Sequence, residues 1–204
     1  MTCDTGKYFP FTTFRRLIAH TRLTLFFTIS PEFLRDVGAF LGKLSVALET
    51  FHHPGAERTH LWDNANVLQV KRFIGVIKDE TNLEVALNVL NDFERIVAPH
   101  ARALRRGCCH GDLNDQNVLV TIVSPSVADD FFSPGQRPVS KKALPWAVLD
   151  FGDIVVTWIV NEIAVAAAYF SLGNDDPVGA CCEIVTGYGT CCISQIQALF
   201  YRSW

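Results

Sequence analysis

The sequence lacks the features by which several large classes of protein are identified. It has no stripe of lysine and arginine: the net charge is −3 at pH 7, the pI is about 6.0, and the basic side chains are scattered. Because nucleic acid is bound by a concentrated positive surface, it is not an expected partner. No internal repeat is visible, and 204 residues with 49% hydrophobic content are enough for one sizeable core.

Long uninterrupted apolar runs are also missing. The run at 23–29 is far shorter than the ~20 residues that span a bilayer. The run at 154–172 is long enough, but Asn161 and Glu162 lie near its centre, where polar groups are costly in hydrocarbon. Both runs are therefore interpreted as parts of a core, and no membrane association is expected.

The sequence has seven cysteines but no C-x-x-C spacing and no histidine cluster beside them. Six form the adjacent pairs 108–109, 181–182 and 191–192, and adjacent side chains point apart instead of converging on one zinc ion. An odd count without a signal peptide is typical of a reducing compartment, so we expect a cytoplasmic protein whose cysteines are small buried hydrophobic residues. Three arginines against one acid in residues 1–30 leave a transit peptide as a minor alternative.

Helical patterns dominate the first half of the chain. A first helix is predicted from Ser30, a candidate N-cap followed by proline, with apolar residues at helical spacing up to the turn at 52–55. A second helix is predicted from a capping box at 81–84. Pro99 should interrupt this second helix before a closing turn at 106–107.

The pattern then changes to short apolar runs. Strands are predicted at 118–123 and 146–149, joined as a hairpin by a polar, proline-containing loop at 124–145. Largely apolar helices are predicted at 155–172 and after 176–177. This order of elements indicates an α+β fold with its chemistry placed on loops.

Two linked motifs carry that chemistry. H-G-D-L-N-D-Q-N at 110–117 leads directly into the first strand, and D-F-G-D at 150–153 follows the second. An Asp followed five positions later by Asn, and then downstream by D-F-G, has the spacing of a kinase catalytic loop. Phosphoryl transfer depends on positioned charge, so Asp112 would orient or deprotonate the acceptor hydroxyl, while Asn117 and Asp150 would bind Mg²⁺ through oxygen. Two unrelated turns rich in Asp and Gly are the alternative.

Other residues of these segments are expected to support the site. Gly152 permits the tight turn in D-F-G-D, and His110 is predicted to hold the loop through structural hydrogen bonds instead of acting as the base. Asp115 and Asp153 are either additional metal contacts or capping, solvated acids. Glu162 is predicted to pair with the loop backbone or with a basic residue.

The form H-G-D-L-N-D-x-N with D-F-G-D, in place of H-R-D, resembles the aminoglycoside phosphotransferase superfamily. The resemblance covers about residues 30–200 and includes I-S-P at 29–31, T-F-H-H-P at 50–54 and L-W-D-N-A-N-V at 61–67. It implies a protein-kinase-like α+β fold with a mostly helical C-terminal lobe, in which a short β-hairpin carries the metal ligands. By resemblance, Asp112 is the catalytic base, and Asn117 and Asp150 hold the metal.

The resemblance also implies an activity. The γ-phosphate of GTP or ATP, with GTP favoured, is transferred in the presence of Mg²⁺ to the hydroxyl of a small amino acid, 5-hydroxy-L-lysine, in the cytoplasm. Another hydroxylated amine, such as choline, homoserine or an aminoglycoside, remains an alternative acceptor, and an inactive fragment remains an alternative of another class. Asp115, Asp153 and Glu162 are candidates to face the ammonium groups of the substrate.

The N-terminal lobe of that family is not recognisable in the sequence. Residues 1–29 are too short for it, and Lys7, the one lysine among them, is not surrounded by the expected strand motif. We therefore expect a divergent segment or hinge remnant at 1–29, a catalytic lobe at 30–204, and an N-terminal lobe that is largely absent.

Overall fold

The computed structural model describes residues 14–16, 29–123 and 142–200. The strands are β1 (Phe14–Arg16), β2 (Arg106–Cys109), β3 (Val118–Val123), β4 (Lys142–Val148) and β5 (Val155–Trp158). The α-helices are α1 (Pro31–Leu48), α2 (Glu80–Asp92), α3 (Val160–Ser171) and α4 (Pro177–Phe200). Short 3₁₀ segments occupy Pro54–Ala56, Asn64–Val76, Ala98–Ala103 and Phe151–Asp153, and Phe93–Val97 is π-helical. The predicted α+β class is confirmed.

The described strands form two antiparallel sheets, one in the order β1-β3-β4 and the other pairing β2 with β5. The predicted hairpin consists of β3 and β4. Val118, the first residue of β3, pairs with Val148, the last residue of β4. The predicted loop was too long, because residues 142–145 belong to β4, where Ala143 is buried. Pro145 is tolerated next to an irregularity in the ladder, where proline removes no regular hydrogen bond. Residues 124–141 lie outside the described part of the chain.

The starts of the two N-terminal helices differ in how well they were predicted. The Ser30 side chain accepts a hydrogen bond from the Phe33 amide at 3.2 Å, as expected of an N-cap. The predicted capping box at 81–84 is wrong, since Asp79 caps α2 by accepting from the Asn82 amide at 2.8 Å. The helix starts two residues earlier than predicted, so Thr81 lies inside the first turn.

On both sides of the catalytic loop, residues that were predicted to be helical or to end a helix form strands. The interruption of the second helix is confirmed, with Pro99 in the 3₁₀ segment Ala98–Ala103. The predicted closing turn at 106–107 and the first four residues of the helix predicted at 155–172 are instead strands, because β2 and β5 pair with each other. The β-branched residues at 155–157 favour that extended conformation.

The core lies where α1 packs against α3 and α4. Phe33, Leu34 and Val37 of α1 are buried together with Ile184 and Tyr188 of α4. The two helices approach closely at Gly38 and Gly187, because neither glycine has a side chain. A Cβ atom at either position would overlap a backbone carbonyl of the facing helix. Among the helices that the structure describes, none is both long and apolar enough to cross a membrane.

The cysteines only partly follow the prediction that they are buried. Cys108 and Cys109 are buried free thiols in β2, and burial raises the pKa of both. Cys181 and Cys191 are half-buried, whereas Cys182 is exposed, which corrects the prediction for that residue. Successive residues of a helix point in different directions, so Cys182 of α4 is exposed although the adjacent Cys181 is half-buried.

Candidate active site

The H-G-D-L-N-D-Q-N segment forms the loop between β2 and β3, and side-chain amides fix its aspartate. Asn114 donates from Nδ2 to both carboxylate oxygens of Asp112 at 3.0 Å. Asn117 donates from Nδ2 to the Asp112 carboxylate at 3.0 Å and to its backbone carbonyl at 2.9 Å. The Asp112 carboxylate is therefore held in one orientation while it lines an open cavity.

The same hydrogen bonds determine which side-chain atom of Asn117 can bind a cation. Its side chain is buried, and the Nδ2 group is committed to Asp112, which leaves the carbonyl oxygen Oδ1 as the atom available to a cation. Leu149 donates its amide to the Asn117 carbonyl at 2.8 Å, so the residue that precedes β3 is tied to the residue that precedes Asp150. The two predicted metal ligands are thus brought to the same end of the β3–β4 hairpin.

Asp150 has an uncommon backbone conformation. Its φ of 62° lies in the left-handed region, and it is the one non-glycine residue with positive φ among those described. Its Oδ1 accepts from the Gly152 amide at 3.2 Å, and Arg58 donates to the Gly152 carbonyl at 2.5 Å. Strained backbone of this kind is concentrated at functional sites, where the surroundings hold the residue in place.

These donors fit Mg²⁺. An amide oxygen and a carboxylate are hard ligands, and Mg²⁺ is commonly held by one or two carboxylates together with waters and substrate phosphates. Within the described residues no three His, Cys, Asp or Glu side chains are grouped so that they could hold a metal ion.

His110 connects the catalytic loop to the second motif. It is fully buried, its Nδ1 accepts from the Asp112 amide at 3.3 Å, and its Nε2 lies 2.9 Å from the Leu149 carbonyl. The ring also contacts Phe151 edge-on, with centroids 4.8 Å apart. An imidazole that accepts at Nδ1 and donates at Nε2 has no lone pair left for the acceptor hydroxyl, so the contacts of His110 are structural.

Glu162 holds the loop between β2 and β3 through a hydrogen bond to the loop backbone. It is 2% exposed, and its Oε1 accepts from the Gly111 amide at 2.7 Å, which confirms the predicted pairing with loop backbone. Burial raises the pKa of Glu162 to about 7, and the backbone amides of Gly111 and His110 oppose that shift only in part. Its Oε2 is buried without a hydrogen-bond partner among the described residues. The hypothesis that Glu162 faces the ammonium groups of a substrate is therefore wrong, because its carboxyl group is buried.

Asp153 lies against the loop on the other side. Gly111 has a φ of 84°, and a Cβ there would be 2.7 Å from the Asp153 carbonyl oxygen, so only glycine allows this approach. The Asp153 carboxylate is paired with His60, whose Nε2 is 2.9 Å from Oδ1. Asp115, the other extra acid of the motifs, is not among the residues that line the adjacent cavity.

A cavity of about 440 Å³ opens beside Asp112, a volume in the range of small-molecule sites, which is roughly 300–1,000 Å³. Its lining includes Trp62, Asn64, Asp112, Asp153, Val165 and Tyr169. Sequence reasoning had not assigned a role to Trp62, Asn64 or Tyr169. The L-W-D-N segment was noted only as part of a resemblance, and Tyr169 lies on α3 four residues after Val165, on the same helix face.

The wall that carries Trp62 is held by a buried polar network. Asp63 Oδ1 accepts from the Ala65 amide at 3.0 Å, from the Thr157 hydroxyl at 2.6 Å and from Asn161 Nδ2 at 3.0 Å. Thr157 and Asn161 are both buried. Because three donors converge on one carboxylate oxygen, the segment around Asp63 is fixed against β5 and α3.

Comparison with known proteins agrees with this geometry. Residues 2–128 match the Phosphotransferase enzyme family, which is more than half of the chain, and the chain therefore belongs to that family. The match includes Asp112 and Asn117 and ends before the D-F-G-D motif. The family predicted from the two motifs is confirmed, while the roles of the individual residues and the domain boundary after residue 29 stay predictions.

Curated relatives are more specific. The chain is 30% identical over 164 residues to the hydroxylysine kinase of Mus musculus, which covers 78% of this chain and 41% of the relative. It is 27% identical over 186 residues to the hydroxylysine kinase of Xenopus laevis, which covers 89% of this chain and 44% of the relative. The chain thus spans less than half the length of these relatives. No solved structure matches the chain significantly.

Proposed function

We propose that this chain carries the catalytic loop of a small-molecule kinase that transfers the γ-phosphate of a nucleoside triphosphate to the hydroxyl of 5-hydroxy-L-lysine. The observation that carries the proposal is the orientation of Asp112 by Asn117, whose remaining oxygen lies with Asp150 at the same end of the β3–β4 hairpin. A base that lines a cavity and two oxygen ligands for Mg²⁺ are the elements that phosphoryl transfer needs.

Each residue has a defined part in this reaction. Asp112 accepts a hydrogen bond from the acceptor hydroxyl and takes its proton as the bond from that oxygen to the γ-phosphorus forms. The bond from the γ-phosphorus to the β-phosphate oxygen breaks in the same step, and the nucleoside diphosphate leaves. Asn117 and Asp150 would hold Mg²⁺, and the ion would supply positive charge to neutralise the nucleotide phosphates. His110 and Glu162 keep the loop in place through their hydrogen bonds to the Leu149 carbonyl and the Gly111 amide.

The choice of acceptor and donor is supported less directly. The relatives are named hydroxylysine kinases, and the cavity has the size of a small-molecule site. GTP is preferred to ATP as the donor on the basis of the family resemblance, and a cytoplasmic location is proposed on the same basis. Choline, homoserine and an aminoglycoside are the acceptors against which hydroxylysine should be compared.

The test is phosphate transfer by the purified chain with Mg²⁺, GTP or ATP, and each of the four acceptors. Asp112→Asn keeps the size of the side chain and removes the base, so transfer should fall by about 10²–10⁴-fold. Asp92→Asn, at an exposed aspartate on α2, is the matched control and should leave transfer unchanged.

The outcomes separate the parts of the proposal. Transfer that survives in Asp112→Asn would overturn the assignment of the base, and transfer confined to another acceptor would reassign the substrate. Because the chain spans less than half of its relatives, the same assay should be run on a form extended upstream. Transfer by that form alone would show that the chain supplies the loop but needs further sequence for activity, and silence of both forms would contradict the kinase proposal.

A further inference from the structure

The cavity beside Asp112 has a one-sided chemistry. The charged residues that line it in the described part of the chain are two carboxylates, Asp112 and Asp153, and no lysine or arginine lines it. Trp62 and Tyr169 add aromatic rings that are 74% and 43% exposed. Carboxylates attract an ammonium group through charge, and aromatic faces attract it through the ring quadrupole, so the cavity favours a cation.

The exposure of Trp62 is a consequence of how its segment is built. The next residue, Asp63, is fixed by hydrogen bonds to Thr157 and Asn161, so the backbone beside Trp62 is held against β5 and α3. A large apolar ring held three-quarters exposed has a hydration cost that a bound ligand would remove. The segment therefore presents the indole to the cavity.

Asp153 is placed where it can share a short ligand with Asp112. Its backbone carbonyl touches Gly111, the residue before Asp112, so the two carboxylates belong to neighbouring walls of one cavity. His60 engages Oδ1 of Asp153, and the carboxylate keeps a second oxygen for a ligand. One small molecule in this cavity can therefore place a hydroxyl group at Asp112 and an ammonium group at Asp153.

We propose that Asp153, Trp62 and Tyr169 form an ammonium-binding subsite that makes the cavity selective for acceptors with a hydroxyl and an ammonium group on neighbouring carbon atoms. The inference rests on the proposed function and deepens it, since 5-hydroxy-L-lysine carries that pair of groups at the end of its side chain. The α-ammonium and α-carboxylate groups then point away from the subsite. Selectivity is therefore determined by the side-chain end of the substrate.

Two acetylated ligands with the same net charge test the proposal. Nε-acetyl-5-hydroxy-L-lysine lacks the ammonium group next to the hydroxyl, whereas Nα-acetyl-5-hydroxy-L-lysine keeps it. Binding of each to the full chain is measured by calorimetry without nucleotide, so the result does not depend on phosphate transfer. The Nε-acetyl ligand should bind about tenfold more weakly than the Nα-acetyl ligand.

The variants assign the effect to residues. Asp153→Asn and Trp62→Leu should each reduce the tenfold ratio toward one, whereas Trp62→Phe, which keeps an aromatic face, should retain most of it. Phe73→Leu removes an exposed ring that does not line the cavity and should leave the ratio unchanged. Because Trp62 is so exposed, its replacement should not affect folding, which circular dichroism checks.

Three results would overturn the subsite. They are a ratio near one in the unmodified chain, a ratio that persists in both Asp153→Asn and Trp62→Leu, or failure of 5-hydroxy-L-lysine itself to bind at millimolar concentration. A tenfold ratio that depends on Asp153, found together with no phosphate transfer by either the chain or the form extended upstream, would support the subsite and contradict the proposed reaction. Transfer that is indifferent to these variants would do the reverse.

Discussion

Replacing Glu162 with glutamine should stabilise the protein at neutral and alkaline pH and have little effect in acid. The carboxyl group is 2% exposed, and burial raises its pKa from 4.5 to about 7. Glutamine keeps an oxygen that can accept from the Gly111 amide but carries no charge at any pH. The variant therefore removes the cost of burying an anion while it retains the contact that holds the loop.

The sign and size of the effect follow from the pKa. Below pH 4.5 the carboxyl is protonated in both folded and unfolded chains, so it costs nothing. As the pH rises toward 7 the unfolded chain loses this proton first, and the free energy of unfolding falls. At roughly 1.4 kcal/mol per pH unit the full loss is about 3 kcal/mol, of which about 2 to 3 kcal/mol lies between pH 5 and pH 8.

Urea denaturation at pH 5 and pH 8 measures this difference. The advantage of Glu162→Gln over the unmodified chain should grow by about 2 to 3 kcal/mol between the two pH values. Glu84→Gln, on the exposed face of α2, controls for the amide substitution and should show no such growth. Glu162→Ala leaves the Gly111 amide unpaired and should be destabilised at both pH values, by about 1–3 kcal/mol for that group alone. An advantage of glutamine that is the same at pH 5 and pH 8 would refute the reasoning.

Two further substitutions test the core and the metal ligands. Gly187→Ala should destabilise the protein by about 1–3 kcal/mol in thermal or urea unfolding, because its Cβ would overlap the Arg35 carbonyl, whereas Gly75→Ala, with open space around it, should cost much less. Asp150→Asn should raise the Mg²⁺ concentration needed for half-maximal transfer by at least about tenfold, because a charged ligand is lost, and an unchanged Mg²⁺ dependence would remove Asp150 from the metal site.

The parts of the fold that could be predicted from sequence are those determined locally. Ser30 followed by proline identified the start of α1, and a β-branched run identified β3. The pairing of β2 with β5 could not be predicted, because each strand is four residues long and gains its hydrogen bonds from a segment far away in sequence. An apolar run such as 155–172 has the same composition whether its first turn is helical or extended.

The candidate site divides in the same way. The spacing within 110–117 and 150–153 predicted Asp112, Asn117 and Asp150 as site residues, and their roles stay predictions. The β3–β4 hairpin brings Asn117 next to Leu149, the residue before Asp150. Trp62 and Tyr169 could not be selected, since each is an ordinary aromatic residue until the chain folds around the cavity. The position of Trp62 depends on tertiary contacts of Asp63 with β5 and α3, for which the sequence contains no local signal.

Asn161 and Glu162, the polar pair inside the apolar run, explain how both walls of the cavity are held together. Glu162 binds the Gly111 amide of the catalytic loop, and its neighbour Asn161 binds Asp63 of the segment that presents Trp62. Successive residues on a helix point in different directions, so one turn of α3 supports two separate segments of chain. The polar groups that argue against a membrane span in the sequence are thus the ones on which the geometry of the site depends.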